Sequence, residues 1–171
     1  MSDAFSLAIV GDGSSGKSSI INAFKSDGFS PNYKQTIGID FYKKLLKIRD
    51  QIISLRVWDV GGQSINSKNL NKYISNSNII FLNYDITNAD SFRNLDDWLI
   101  KIRKYCTNQQ HIYLIGNKID LITIRQVTDK QHTNFIQDNN LHGNTLLHVI
   151  LYIYDISLLT YFYTLCIQTY R

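Results

Sequence analysis

The segment FSLAIVGDGSSGKSSIINAFK, residues 5–25, changes its hydrophobic pattern twice along its length. The apolar run at 5–11 predicts a buried β-strand, and the spacing of apolar residues after Lys17 predicts an α-helix. Between them, GDGSSGKS (11–18) fits the pattern G-x-x-x-x-G-K-[ST]. In such a loop, successive backbone N–H groups and the positive end of the following helix form a concave site for anions. The segment therefore predicts a phosphate-binding loop between a strand and a helix.

Strand patterns and helix patterns alternate along the chain as far as residue 143. Further strands are predicted at 39–48, 53–59, 78–85 and 111–118, and further helices at 90–106 and 128–140. The apolar side of the first of these helices consists of Phe92, Leu95, Trp98, Leu99 and Ile102. Asp90 or Ser91 is its expected cap. Strands separated by helices favour a mostly parallel sheet with helices on both faces, so the predicted fold class is α/β.

Two side chains of the phosphate loop carry distinct chemistry. The Lys17 ammonium is expected to reach the β- and γ-phosphates of a nucleotide, and the Ser18 hydroxyl to bind Mg²⁺. The other candidates for phosphate contacts are Gly11, Gly13, Ser14, Ser15, Gly16 and Ser19. This loop alone leaves the base open, adenine or guanine.

A second motif, WDVGGQ (58–63), ends a predicted strand. The Asp59 carboxylate is placed to reach the metal through water, and Gly62 to let a backbone N–H approach the γ-phosphate. Gln63 is placed to orient an attacking water. Alone, Asp-x-Gly-Gly is typical of an ordinary turn, but downstream of a phosphate loop it indicates nucleotide hydrolysis.

A third motif, NKID (117–120), follows the strand predicted at 111–118. The Asp120 carboxylate can accept from both the ring N–H and the exocyclic amine of guanine, a pair of donors that adenine lacks. The Lys118 stem is expected to pack on the base, and Asn117 to tie this loop to the phosphate loop. A buried carboxylate left without its donors is costly, so such a site favours guanine.

In order and spacing, the three motifs resemble those of the Ras superfamily of small GTPases, over about residues 5–143. TIGIDF (36–41) and YDITNADSF (84–92) resemble Rab segments. WDVGGQ together with SKNLNKYI (67–74) is similar to the divergent twenty-eighth Rab subtype. The resemblance implies a Ras-like domain with a mostly parallel, six-stranded sheet.

The resemblance also implies roles for individual residues. Thr36 would be the switch threonine that closes on Mg²⁺ and the γ-phosphate, and Phe29 the aromatic that stacks against guanine. Gly13 falls where a side chain would obstruct hydrolysis. Tyr33 would lie over the phosphates, or belong to a loop without that contact. The implied ligands are GTP or GDP and Mg²⁺.

The activity implied by the resemblance is that of a switch in vesicle and membrane traffic. GTP would order segments 30–41 and 61–75 for binding by effectors, and slow hydrolysis to GDP would release them. An exchange factor and a GTPase-activating protein are the other implied partners. The activating protein would supply an arginine that this chain does not obviously provide in cis.

Composition places few limits on these expectations. Lys and Arg total 18 against 14 acids, a net charge of +4, and the basic residues are scattered, which favours no nucleic-acid partner. Asp3 stands where a secretory signal would carry a basic residue, so a cytoplasmic location is expected. Peripheral association with endomembranes is expected from the family.

Residues 144–171 depart from the family pattern. TLLHVIL stands where the family has Ser-Ala-Lys, whose backbone contacts the guanine oxygen. Cys166 is followed by IQTYR, which fits no prenylation pattern. We therefore divide the chain into a GTP-binding core at 1–143 and an atypical segment at 144–171.

Three interpretations of that atypical segment remain open. It could supply the sixth strand at 146–154 and the last helix at 155–170. It could instead be a membrane anchor at 146–167, since its apolar run is long enough to span a bilayer. It could also be the product of an alternative or mispredicted exon junction near Gly143.

Two rival functions also remain open. Another phosphate-loop enzyme, such as a small-molecule kinase, would need a second substrate site, and NKID and TIGIDF argue against it. A non-hydrolysing nucleotide-binding scaffold would keep only a binding surface, and Gln63 and Thr36 argue against that.

Overall fold

The structure is a computed structural model that describes residues 4–25, 35–48, 51–107, 110–142 and 144–146. The strands in this part are β1 (Ala4–Val10), β2 (Ile39–Ile48), β3 (Gln51–Val60), β4 (Ile79–Asp85), β5 (His111–Asn117) and β6 (Asn144–Leu146). The α-helices are α1 (Lys17–Lys25), α2 (Leu70–Ser75), α3 (Ala89–Arg93), α4 (Leu95–Tyr105) and α5 (Asp129–Asp138). Two short 3₁₀ helices span Gly62–Asn66 and Ile119–Ile124.

The strands form one sheet in the order β2-β3-β1-β4-β5-β6. Every neighbouring pair is parallel except β2 and β3, which form an antiparallel hairpin. The prediction of a mostly parallel α/β sheet is therefore confirmed. Because β1, β4 and β5 are adjacent and parallel, the loops after their carboxyl ends meet at one edge, where open α/β sheets bind ligands.

The sheet separates two apolar clusters, and alternate residues of β1 contribute to each. Leu7 and Ile9 pack with Ile20 and Ile21 of α1 on one face. Ala8 and Val10 pack on the other face with residues of α2 and α4. The predicted apolar side of 90–106 lies in this second cluster, with Phe92 half-buried and its other members buried. This burial places α1 and α4 on opposite faces of the sheet.

The segment predicted as one helix at 90–106 is two helices that meet at Asn94. The prediction that Asp90 or Ser91 caps it is wrong. The Asn88 side chain caps α3 instead, since its Oδ1 accepts from the backbone N–H groups of Asp90 at 2.9 Å and Ser91 at 3.2 Å. A short amide at this position satisfies two donors that a helix start leaves free.

Several predictions fall outside the described residues. These are the positions of Phe29 and Tyr33, and the strand and helix expected beyond Leu146 in the atypical segment. Asn144–Leu146 do pair with β5 in parallel as the sixth strand, starting two residues earlier than the predicted 146–154. In the part of the chain that is described, no helix has the length and apolar character needed to cross a membrane.

Candidate functional site

The phosphate loop turns around the backbone carbonyl of Asp12. The Lys17 Nζ donates to this oxygen at 2.6 Å, and the Ser15 hydroxyl donates to it at 2.9 Å. Lys17 begins α1 and is only 5% exposed. Burial lowers the pKa of its ammonium to about 8, although the Asp59 and Asp12 carboxylates oppose the shift. A buried cation held by one neutral carbonyl is suited to receiving anionic oxygens.

Two amides from neighbouring strands hold the other side of the loop. Asn117 at the end of β5 donates from Nδ2 to the Ser15 carbonyl at 3.0 Å, which is the tie between loops that the sequence predicts. Asn83 of β4 donates to the same carbonyl at 2.8 Å and to the Ser15 Oγ at 2.9 Å. Both asparagines are buried, so the loop rests on two fixed donors.

Three oxygen-bearing side chains meet beside Lys17. The Ser18 Oγ lies 2.5 Å from the Asp59 Oδ2 and 3.0 Å from the Thr36 Oγ1. The Thr36 Oγ1 lies 3.5 Å from the same Asp59 Oδ2. The Asp59 Oδ1 is buried without a hydrogen-bond partner among the described residues. Burial raises the pKa of the Asp59 carboxyl, while the Ser18 hydroxyl and the Lys17 ammonium oppose the rise.

This cluster has the chemistry of a hard-cation site. Mg²⁺ takes oxygen ligands, and a site with one carboxylate and two hydroxyls leaves positions for water and phosphate. A cation would also stabilise the charged form of Asp59, which burial disfavours, and water bound to the cation would donate to the unpaired Oδ1. The three residues expected to hold a metal therefore fit one.

The WDVGGQ segment passes directly over the phosphate loop. A Cβ placed on Gly62 would lie 2.1 Å from the backbone nitrogen of Gly13, so only hydrogen fits there. The next residue, Gln63, is exposed on the 3₁₀ helix that Gly62 begins. The start of this 3₁₀ helix therefore lies against the phosphate loop.

The NKID residues occupy different environments. Asn117 is buried, whereas Lys118 is half-buried in the left-handed conformation, with φ of 64°. The Lys118 Nζ pairs with the Asp85 Oδ2 at 2.6 Å, an ion pair that joins the ends of β5 and β4. Asp120 is exposed at the start of the second 3₁₀ helix. Asp120 therefore lies at the protein surface, in the loop that follows β5.

Comparison with known proteins matches residues 6–143 to the model of the Ras family. The chain belongs to the Ras family. Among its relatives are the Ras-related protein Rab-28 of Caenorhabditis elegans, 39% identical over 139 residues, and the human Ras-related protein Rab-30, 33% identical over 138 residues. The matches cover 79% and 81% of this chain, and 56% and 68% of those relatives. They place this Ras-family chain in the Rab branch.

The sequence motifs include Ser15, Lys17, Ser18 and Asp59, which the structure brings together, but they do not include Asn83. Its position in β4 is an apolar one by pattern, and the strand is buried throughout. The pairing of β4 with β1 brings the Asn83 side-chain amide within hydrogen-bond distance of Ser15. An asparagine within a run of apolar residues was the available signal, because a buried amide needs partners.

We expect Asn83→Ala to lower the free energy of unfolding by about 2–3 kcal/mol, because two buried hydrogen bonds and packing are lost. Urea denaturation of the nucleotide-free protein measures this loss. Asn71→Ala, at an exposed position of α2, is the matched control and should change stability by less than about 0.5 kcal/mol. Equal stability of the two variants would contradict a supporting role for Asn83.

Proposed function

We propose that this chain is a Rab-type switch that binds GTP and GDP with Mg²⁺, hydrolyses GTP slowly, and acts in vesicle traffic. The observation that carries the proposal is the meeting of Ser18, Thr36 and Asp59 beside the buried Lys17 ammonium. These groups come from three separate segments, and together they supply the positive charge and metal ligands that a nucleoside triphosphate requires. The proposed GTP-binding core is 1–143, followed by the atypical segment 144–171.

In the proposed complex, the loop residues Gly11, Gly13, Ser14, Ser15, Gly16, Lys17, Ser18 and Ser19 surround the phosphates. Ser18 and Thr36 would hold the magnesium directly, and Asp59 would hold it through water. Magnesium bound there would neutralise charge on the β- and γ-phosphates. Lys17 binds phosphate oxygens once they replace the Asp12 carbonyl, and Gly62 directs its N–H to the γ-phosphate.

The proposed base site consists of Asn117, Lys118 and Asp120, with Phe29 stacking against the guanine and Tyr33 over the phosphates. The Asp120 carboxylate would accept from two guanine donors. The Asp85 contact keeps the Lys118 chain at the edge where the base would lie. Asn117 links this site to the phosphate loop through Ser15.

Hydrolysis would proceed by attack of water on the γ-phosphate, with Gln63 orienting that water. We expect Gln63→Leu to slow single-turnover GTP hydrolysis by at least about tenfold while leaving GDP affinity unchanged. Gln63 is exposed and is not among the residues proposed to contact the phosphates, so binding should not need it. Gln137→Leu, at an exposed position on α5, is the matched control. Equal hydrolysis rates in both variants would remove Gln63 from the mechanism.

The proposed effector surface lies in segments 30–41 and 61–75, where the structure describes 35–41 and 61–75. Gly61 N–H donates to the Gly38 carbonyl at 2.9 Å, and the Ser64 hydroxyl donates to it at 3.1 Å, so these segments touch. Phe41 is 51% exposed and lies with its ring centroid 4.4 Å from that of Trp58. Phe41 belongs to the same segment as Thr36, which is expected to contact the γ-phosphate. An exposed aromatic side chain there suits a partner that distinguishes GTP from GDP. An exchange factor and a GTPase-activating protein complete the proposed cycle.

The proposed location is cytoplasmic, with peripheral association with endomembranes. This rests on the Rab relationship, since family members act at membranes through partners and attached lipid.

The direct test is the nucleotide content of the purified 171-residue chain. The protein is denatured, and the released material is separated by anion exchange. We expect about one GDP or GTP per chain, because tightly bound nucleotide survives purification. Adenine nucleotide, or folded protein with none, would overturn the proposal.

A further inference from the structure

The phosphate loop contains the carboxylate of Asp12, although the phosphates expected to bind this loop are also negatively charged. The side chain makes two hydrogen bonds to the segment that starts α4. Its Oδ1 accepts from the Trp98 indole Nε1 at 2.9 Å, and its Oδ2 accepts from the Asn94 Nδ2 at 2.6 Å. Both carboxylate oxygens are thus engaged by neutral donors from residues 82 and 86 positions away.

The backbone of the same residue faces the inside of the loop. The Asp12 carbonyl accepts from Lys17 and from the Ser15 hydroxyl. The carbonyl carbon of Asp12 also lies 2.6 Å from where a Cβ on Gly62 would stand. Asp12 is therefore hydrogen-bonded to the start of α4 and to the buried lysine, and its backbone lies against the segment that carries Gln63.

The partner of the carboxylate is rigid. Trp98 is 1% exposed and belongs to the apolar cluster that contains Ile80 and Leu82 of β4. A buried indole N–H needs an acceptor, and a carboxylate makes a stronger one than a neutral oxygen. Because Trp98 is held in the hydrophobic core, its hydrogen bond restrains the position of the Asp12 side chain and of the loop that carries it.

We infer that Asp12 is a positioning residue that holds the phosphate loop in its nucleotide-binding shape by anchoring it to Trp98 and Asn94. The inference rests on the proposed nucleotide binding. A loop released from this anchor would sample shapes in which its N–H groups no longer converge, and bound nucleotide would leave faster. The anchor must outweigh the repulsion between a carboxylate and the phosphates, which acts in the opposite direction.

Loss of the anchor would speed nucleotide release and loss of the charge repulsion would slow it, so the rate of release distinguishes the two effects. Each variant is loaded with fluorescently labelled GDP in Mg²⁺, and the dissociation rate is measured after addition of excess unlabelled GDP. Asp12→Ala removes both acceptors, Asp12→Asn keeps one oxygen without the charge, and Trp98→Phe removes the indole N–H but keeps an aromatic ring. Tyr84→Phe is the matched control, because it also deletes one buried hydrogen bond, to His132 at 2.9 Å, away from the loop.

We expect Asp12→Ala to release GDP about tenfold faster than the wild type and Trp98→Phe about threefold faster, from hydrogen bonds of ordinary strength. Asp12→Asn should fall between the wild type and Asp12→Ala, and Tyr84→Phe should release GDP at the wild-type rate. The double variant Asp12→Ala/Trp98→Phe should be no faster than Asp12→Ala, because both changes break the same contact.

Release at or below the wild-type rate in Asp12→Ala would overturn the inference, since charge repulsion would then dominate. Multiplying effects in the double variant would overturn it too, since the residues would act independently. If Asp12→Ala fails to fold, Asp12→Asn and Trp98→Phe decide, and wild-type rates in both would overturn it. A wild-type chain that binds no GDP would instead refute the proposed function.

Discussion

Replacing Lys17 with alanine should weaken GDP binding by about 10²–10⁴-fold, the largest effect on binding expected from any single side chain here. Removing one partner of a buried charged contact costs about 3–5 kcal/mol, because the remaining phosphate charge loses its nearest cation. Arginine is no substitute, since the Lys17 side chain is buried with its Nζ 2.6 Å from the Asp12 carbonyl. Isothermal titration of nucleotide-free protein with GDP and Mg²⁺ measures the affinity.

The same variant should behave differently without nucleotide. Burial disfavours the Lys17 ammonium in the unliganded protein, as its lowered pKa shows. Deleting it should therefore cost little stability, and GDP should no longer raise the melting temperature, since that rise depends on affinity. Lys130→Ala, at an exposed position of α5, is the matched control. Retention of wild-type affinity by Lys17→Ala would show that the backbone N–H groups suffice.

The features that sequence patterns predict correctly are those set by neighbours in the chain. The β1–loop–α1 segment combines a continuous apolar run, a glycine-rich turn and helical spacing, and each is local. The α5 helix is likewise capped by Thr128, whose hydroxyl accepts from the Gln131 N–H within one turn. Local physics determines such elements, so their bounds differ from prediction by only one or two residues.

The features that patterns miss depend on contacts distant in sequence. Asn83 reaches Ser15 across 68 residues, and Trp98 reaches Asp12 across 86. Asn94, where the helix predicted at 90–106 is divided, likewise reaches Asp12 across 82 residues. Lys118 adopts a left-handed conformation while its ammonium pairs with Asp85, a geometry that its identity alone does not indicate.

Gly11 is the position where a single methyl group should most damage the fold. Its φ is 132°, a region open to glycine, and a Cβ there would lie 2.0 Å from the backbone oxygen of Asn83. That oxygen belongs to β4, a strand buried along its whole length, so it has no room to retreat. Gly11→Ala should therefore cost about 3–6 kcal/mol, as backbone strain and overpacking add.

Gly38 offers a matched control for the strain alone. Its φ is also positive, at 79°, but nothing lies within 4 Å of the position that a Cβ would take. Gly38→Ala should cost about 1–3 kcal/mol from the backbone conformation only. Urea denaturation of both variants without nucleotide separates the two contributions. A loss of several kcal/mol is a large share of the about 5–15 kcal/mol that keeps a domain folded, so Gly11→Ala is expected to accumulate as insoluble protein. Equal stability of the two variants would mean that β4 yields to the methyl group, and the close approach of Gly11 to β4 would then not be what fixes the start of the phosphate loop.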